Sequence, residues 1–337
     1  MPLAPTVGVV IANYNNSAFV AKAIESVARQ TVRDIHAIIV DDASTDRSHE
    51  AIHDCLSRLD DSRFDYVRLE VNLGQGGAIR HGLAKLDTPF VCFLDSDDIW
   101  YERFIARHLS VHMNSDFPVA LTYCDSHIID GADRMLAGTA WWFDSDAAQP
   151  VVRPIDQARI PAIDSATGTL TYPANTGVTF RAEWSTASGT NSTASMMFRR
   201  AFVDLVLVPP NENLRLYLDF YLSTFALLLT GAVGIHEALY AYRMHGSNKH
   251  SNATVLGGAY NSASQPWGPI AKSVLELIYT VLKGKAEAIV LAFGEQRYEE
   301  AERLIREALG MPNEIPESEP PPRWSFAAFR AKRRDRY

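Results

Sequence analysis

Phe90-Val91-Cys92-Phe93-Leu94-Asp95-Ser96-Asp97-Asp98 sets five apolar residues in an unbroken run and three carboxylates in the next four positions. A strand with one wet face alternates apolar and polar residues. An unbroken run is expected where helices cover both faces of a sheet. Upstream lies a glycine-rich turn, Gly74-Gln75-Gly76-Gly77, and a helical repeat of Ile79, Leu83 and Leu86. Further back, Val7–Ile11, Ile35–Val40 and Phe64–Leu69 read as strands. Helices separate them, with apolar faces Val20, Ala23, Ile24, Val27 and Ile52, Cys55, Leu56, Leu59. Asn16 or Ser17 would cap the first helix, and Ser44 would begin the second. Downstream, Tyr101–Met113 reads as helix and Val119–Cys124 as a fifth strand. Strands alternating with helices predict an α/β fold with a mainly parallel central sheet and helices on both sides.

In an open parallel sheet, ligands bind beyond the carboxyl ends of the strands. Polar clusters fall at three such ends: Ala12-Asn13-Tyr14-Asn15, Asp41-Asp42-Ala43-Ser44 and Asp95-Ser96-Asp97-Asp98. Each cluster alone would serve as a turn or a helix cap. Together they crowd acids at one sheet edge, where mutual repulsion is relieved by a cation. An oxygen-rich site suits Mg²⁺ or Mn²⁺, which bridge carboxylates to phosphate oxygens.

These segments, with Gln30-Thr31, Asn72-Leu73-Gly74, Tyr217-Leu218-Asp219-Phe220-Tyr221 and Tyr242-Arg243-Met244-His245-Gly246-Ser247-Asn248, resemble family 2 glycosyltransferases. The resemblance implies the GT-A fold and inverting transfer of a hexosyl or deoxyhexosyl group from a nucleoside diphosphate sugar. It implies that Ala12 and Tyr14 line the base pocket and that Asp42 accepts a hydrogen bond from the base. Asp97 would lie near the ribose or its phosphate. Asp98 would hold the metal, with Asp95 the competing ligand and His245 assisting. Arg80 would face the diphosphate, although His81 stands where relatives usually carry Asn. Asp219 would be the general base, and Arg215 nearby would keep it ionised. Gly74, Gly76 and Gly77 lack the spacing of a dinucleotide fingerprint.

The resemblance divides the chain into a nucleotide-sugar-binding half (1–125) and an acceptor-binding, catalytic-base half (126–260) of one domain. A helical extension (261–311) and a Pro-rich linker with a basic tail (312–337) follow. Residues 131–195 are rich in Ser, Thr, Gly and Ala, and Trp141, Trp142 and Trp184 there could stack on acceptor sugars or pack as core. Short strands are expected near Ala232–His236 and Leu239–Arg243. Glu299–Leu309 reads as a charged amphipathic helix.

The formal net charge of −8 is uneven: 32 Lys and Arg oppose 40 Asp and Glu. Residues 320–337 carry six basic side chains and one acid, leaving the body strongly acidic. An acidic body excludes general nucleic-acid binding. The tail, with Trp324, Phe326 and Phe329, suits either an anionic membrane surface or a solubilising extension. Three cysteines with no Cys-x-x-Cys pair indicate neither a disulfide framework nor a cysteine zinc site, and a reducing compartment fits. The start shows no signal-peptide pattern. The longest apolar run, Phe220–Ile235, is shorter than a membrane span. The expected setting is cytoplasmic, at the inner face of a membrane, on a glycan or lipid-linked acceptor in bacterial surface polysaccharide or glycolipid assembly. UDP- or dTDP-sugars are the favoured donors. The rivals are a nucleotidyltransferase that makes nucleotide sugars, and a non-catalytic nucleotide-sugar-binding protein. Asn13-Tyr14-Asn15-Asn16 offers no triphosphate loop to the first.

Overall fold

The computed structural model describes residues 6–138, 162–167, 170–171, 177–185, 192–209, 211–248 and 267–312. Trp141, Trp142 and the basic tail fall outside them. Strands β1 (Val7–Asn13), β2 (Ile35–Asp41), β3 (Phe64–Arg68) and β4 (Phe90–Asp95) pair in parallel in the order β3-β2-β1-β4. Helices α1 (Val20–Ala28), α2 (Ser48–Leu59) and α3 (Gly74–Leu83) connect them, and α4 (Phe104–His112) follows β4 and the short β5 (Ile99–Trp100).

The apolar runs divide their residues strictly between two faces. Val9, Ile11, Cys92 and Leu94 join the core beneath α1, α2 and α4. Val10, Val91 and Phe93 join the core on the α3 side. Each fully buried aliphatic or Phe side chain contributes about 2 kcal/mol, so both faces must stay covered and the register cannot slip.

Beyond β4 the sheet becomes mixed. The antiparallel β11 (Met196–Arg199) lies between β4 and β6 (Leu121–Asp130). Next to β6 runs the parallel β12 (Ala232–Met244), edged by the antiparallel β10 (Val178–Arg181). β6 continues six residues past Cys124 through Asp125-Ser126-His127, and the two expected short strands are one strand. The expected strands were separated at Glu237 and Ala238; the structure absorbs that stretch as register shifts between Ile235 and Tyr240. The remaining short strands are β7 (Met135–Ala137) on β6, and a separate pair, β8 (Ala162–Ile163) and β9 (Leu170–Thr171).

After β11 come α5 (Arg200–Val206) and α6 (Leu218–Leu229); ten of the twelve α6 residues are buried. What covers α6 is the C-terminal extension of α7 (Trp267–Gly284), α8 (Ala286–Phe293) and α9 (Glu295–Ala308), with α7 and α9 against α6 and α8 packed on them. Val274, Ile278, Leu282, Ala301 and Ile305 share one core with α6 and with Val10 and Phe93 of the sheet. The extension is therefore a third layer of the same body. Trp184 is core as well, and all three cysteines are buried and outside any disulfide. Among the described residues, no helix is long and apolar enough to cross a membrane.

The glycine-rich segment departs from expectation. It forms the first turn of α3 rather than a turn before it. Glycine is a poor helix former, but close approach demands it here. A Cβ on Gly76 would lie 2.1 Å from the Leu214 carbonyl oxygen, and the Gly76 N–H donates to Arg215 O at 3.3 Å. Gly74, at φ +78°, abuts Arg215 in the same way. Gly76→Ala should push α3 away from the 212–216 segment and destabilise the fold by about 1–3 kcal/mol. An unchanged urea midpoint would refute this contact.

Candidate active site

The carboxyl ends of β1, β2, β4 and β12 open into one cleft of about 540 Å³. Ala12, Tyr14, Asp42, Asp95, Asp97, Asp98, Asp219 and His245 line it. The structure thus brings together every expected site residue except Arg80. Arg80 faces a smaller hollow and donates to the Val208 carbonyl at 2.5 Å. Among the described residues, the cleft wall holds six carboxylates but a single Lys or Arg, Arg215.

At the β2 end, Asp41 is a buried support. It accepts from Asn13 Nδ2 at 3.2 Å and from the Ser44 N–H at 3.3 Å. Ala43 adopts φ +59°, a left-handed turn unusual for a residue other than glycine. Beside it, Asp42 accepts the N–H groups of Leu73 (2.7 Å) and Gly74 (2.8 Å), which begin α3. Burial raises the Asp42 pKa, against those two bonds and the positive field of Arg215. Asn72 ties Arg215 to this corner: Arg215 Nη2 donates to Asn72 Oδ1 at 2.6 Å, and Asn72 Nδ2 donates to Asp42 O at 3.2 Å. Tyr14 stands at the rim, 44 % exposed.

At the β4 end, the three aspartates have different surroundings. Asp95 accepts from Gln75 Nε2 at 2.5 Å, and its pKa is pushed up to about 7 by burial and by the charge of Asp97. Asp97 Oδ2 lies 3.0 Å from His245 Nε2. Asp98 is buried; its Oδ1 accepts the Arg243 N–H at 2.9 Å, while Oδ2 has no hydrogen-bond partner among the described residues. Burial, with Asp97 and Asp95, raises its pKa well above the usual carboxylate range.

Arg243 is the bracket for this turn. Fully buried, it donates from Nε to Asp97 O at 2.7 Å and from Nη1 to Asp130 O at 3.1 Å, and it pairs with Asp133. Its guanidinium carbon lies 4.8 Å from the Phe19 ring centre. Asn248 closes the far side, donating to Arg243 O and accepting the His245 N–H, both at 2.7 Å. The Tyr-Arg-Met-His-Gly-Ser-Asn segment therefore places His245 through a backbone clamp.

Asp219 stands on the first turn of α6, and its Oδ1 accepts the Phe220 N–H at 2.7 Å. Burial pushes its pKa up to about 6. The expected influence of Arg215 falls instead on Asp42, because Asn72 holds the guanidinium at the β2 corner. Sequence reasoning singled out neither Gln75 nor Thr193, to which Gln75 also donates at 3.4 Å. Gln75 sits inside the glycine segment, which read as a turn and not as a cleft wall.

The sequence profile of glycosyl transferase family 2 matches residues 8–202, from β1 through β11 into α5. The chain belongs to glycosyl transferase family 2. This glycosyltransferase is 28% identical over 261 residues to an uncharacterized glycosyltransferase of Nostoc sp., covering 77% of this chain and 71% of the relative. It is 30% identical over 122 residues to the UDP-Glc:alpha-D-GlcNAc-diphosphoundecaprenol beta-1,3-glucosyltransferase WfaP of Escherichia coli. That match covers 36% of this chain and 46% of WfaP, so the chain spans less than half of that relative. Among solved structures, S. aureus TarS 1–349 in complex with UDP-GlcNAc superposes with a TM-score of 0.53 at 15% identity. The superposition covers 90% of this chain and 71% of TarS 1–349. That likeness establishes the shared GT-A fold.

Proposed function

We propose that this glycosyltransferase transfers a sugar, with inversion, from a nucleoside diphosphate sugar to a hydroxyl acceptor, with Asp219 as general base. The observation that carries the reading is the sharing of one cleft by Asp219 and the Asp95–Asp98 and His245 group, on separate elements. Breaking the anomeric bond builds negative charge on the diphosphate, while the acceptor hydroxyl must lose a proton elsewhere. A carboxylate raised to about 6 is basic enough for that proton and still ionised at neutral pH.

The residues fit a divalent cation. Asp98 Oδ2 is a buried acceptor with no hydrogen-bond donor among the described residues, and Asp97 with His245 would add an oxygen and a nitrogen ligand. Among the described residues, no three acid, His or Cys side chains form a ready cage. A cation held by one or two carboxylates and completed by phosphate oxygens needs none. Asp97, Asp98 and His245 would hold Mg²⁺ or Mn²⁺, with Asp95 behind them. The bound ion supplies charge neutralisation at the leaving diphosphate. Tyr14 would stack against the base and Asp42 would accept from its N–H edge, both being on the cleft wall.

UDP- or dTDP-sugars as donors, and a glycan or lipid-linked acceptor in polysaccharide or glycolipid assembly, complete the proposal. WfaP's undecaprenyl acceptor supports it. Hydrolysis of a panel of nucleotide sugars, with Mn²⁺ and with EDTA, tests it. Turnover should fall at least about 100-fold in EDTA. Metal-dependent binding without turnover of donor in the presence of acceptors would favour the non-catalytic rival. Release of pyrophosphate from a nucleoside triphosphate and a sugar phosphate would favour the nucleotidyltransferase.

A further inference from the structure

We infer that Arg215 is the residue that reads the donor's base, donating to a base carbonyl beside the N–H that Asp42 accepts. The inference rests on the glycosyltransferase reading and adds a specificity determinant to it. Arg215 is the one Lys or Arg on the cleft wall among the described residues, and the donor is an anion. Its position is at the β2 corner, beside Asp42 and Asn72. β2 and β4 flank β1, so that corner stands about 10 Å from the Asp95–Asp98 turn. Arg215 therefore belongs to the base end of the cleft and His245 to the diphosphate end.

The guanidinium is oriented without being saturated. Nη2 donates to Asn72 Oδ1 at 2.6 Å. Its other contacts are long: 3.4 Å from Nη1 and Nη2 to Asn72 O, and 3.8 Å from Nε to the exposed Glu212. Five N–H donors leave some for a ligand, and the side chain is 36% exposed. Each Asp42 oxygen already accepts one backbone N–H and retains a second lone pair.

An acceptor beside a donor matches a base edge with an N–H next to a carbonyl. Uracil and thymine present it through N3–H and O4, and guanine through N1–H and O6. Cytosine and adenine present a ring-nitrogen lone pair to Asp42 and an amino group to Arg215, and both contacts are mismatched.

Calorimetric titration of UDP, GDP, CDP and ADP with Mn²⁺, against wild type, Arg215→Met and Arg215→Lys, tests this. Wild type should favour UDP or GDP over CDP and ADP. Arg215→Met should lower the affinity of the preferred nucleotide about tenfold and shrink its advantage over CDP by a similar factor. Arg215→Lys, which keeps the charge but loses the fork, should fall between. Equal weakening of UDP and CDP would make Arg215 a phosphate contact and overturn the inference. Unchanged affinities would overturn it too, leaving the glycosyltransferase reading intact. If wild type binds none of the four, that reading fails as well.

Discussion

Asp219→Asn should abolish sugar transfer, lowering kcat by about 10²–10⁴-fold, while donor binding stays near the wild-type level. Asn keeps the shape and the oxygen that accepts the Phe220 N–H, but it cannot take a proton. Wild-type transfer in this variant would remove Asp219 from the mechanism. The pH profile carries the same signature. The base must be ionised, so kcat/KM should fall below about pH 6, where the buried carboxyl takes up its proton. An ordinary aspartate would hold activity down to about pH 4. The stability consequence has the opposite sign from a salt-bridged acid. The unfolded chain releases this proton near pH 4 and the folded chain near pH 6. Between those values the folded state binds more protons, so stability declines as pH rises through the window and stays lower above it. Asp219→Asn should therefore melt at or above the wild-type temperature at pH 8 while being inactive.

Arg243→Met should destabilise the fold by about 2–4 kcal/mol, because two backbone carbonyls lose their donor. The aliphatic stem is replaced, yet the Asp97 and Asp130 carbonyls and the Asp133 carboxylate lose their buried donor. Arg243→Lys should rescue little, since one ammonium cannot span acceptors on three sides of a planar fork. A urea midpoint for Arg243→Met within error of wild type would dispose of the clamp. Surviving protein should also bind donor poorly with Mn²⁺, because the Asp97–Asp98 turn is held from behind by this side chain.

The first hundred or so residues were the legible part. Val7–Ile11, Ile35–Val40 and Phe90–Leu94 are apolar runs whose local character agrees with their place in the sheet, and the acids stand where such strands end. Legibility failed where long-range packing decides. Met196–Arg199 is four residues after a Ser- and Thr-rich stretch, yet it is the strand that joins β4 to β6. Nothing local announces it. The polar Asp125-Ser126-His127 concealed the length of β6, and Glu237, which pairs with Arg103 and Arg107, concealed that of β12. The two arginines show the same limit in the site. Arg80 lies inside the motif and turns away to Val208, whereas Arg215, in no motif, reaches the cleft because glycines let its backbone touch α3.

The central position of β11 bears on how this protein can be cut and recombined. A fragment ending near residue 125 would leave β4, apolar from Phe90 to Leu94, as a sheet margin with open backbone groups. Such a margin templates aggregation. Co-expressing 1–125 with 126–312 should give soluble material only when the two associate, and the first piece alone should precipitate. Chimaeras meant to exchange acceptor preference must carry Met196–Arg199 and its β4 partner from a single parent. The workable crossover points then lie on the outer loops, away from residue 125.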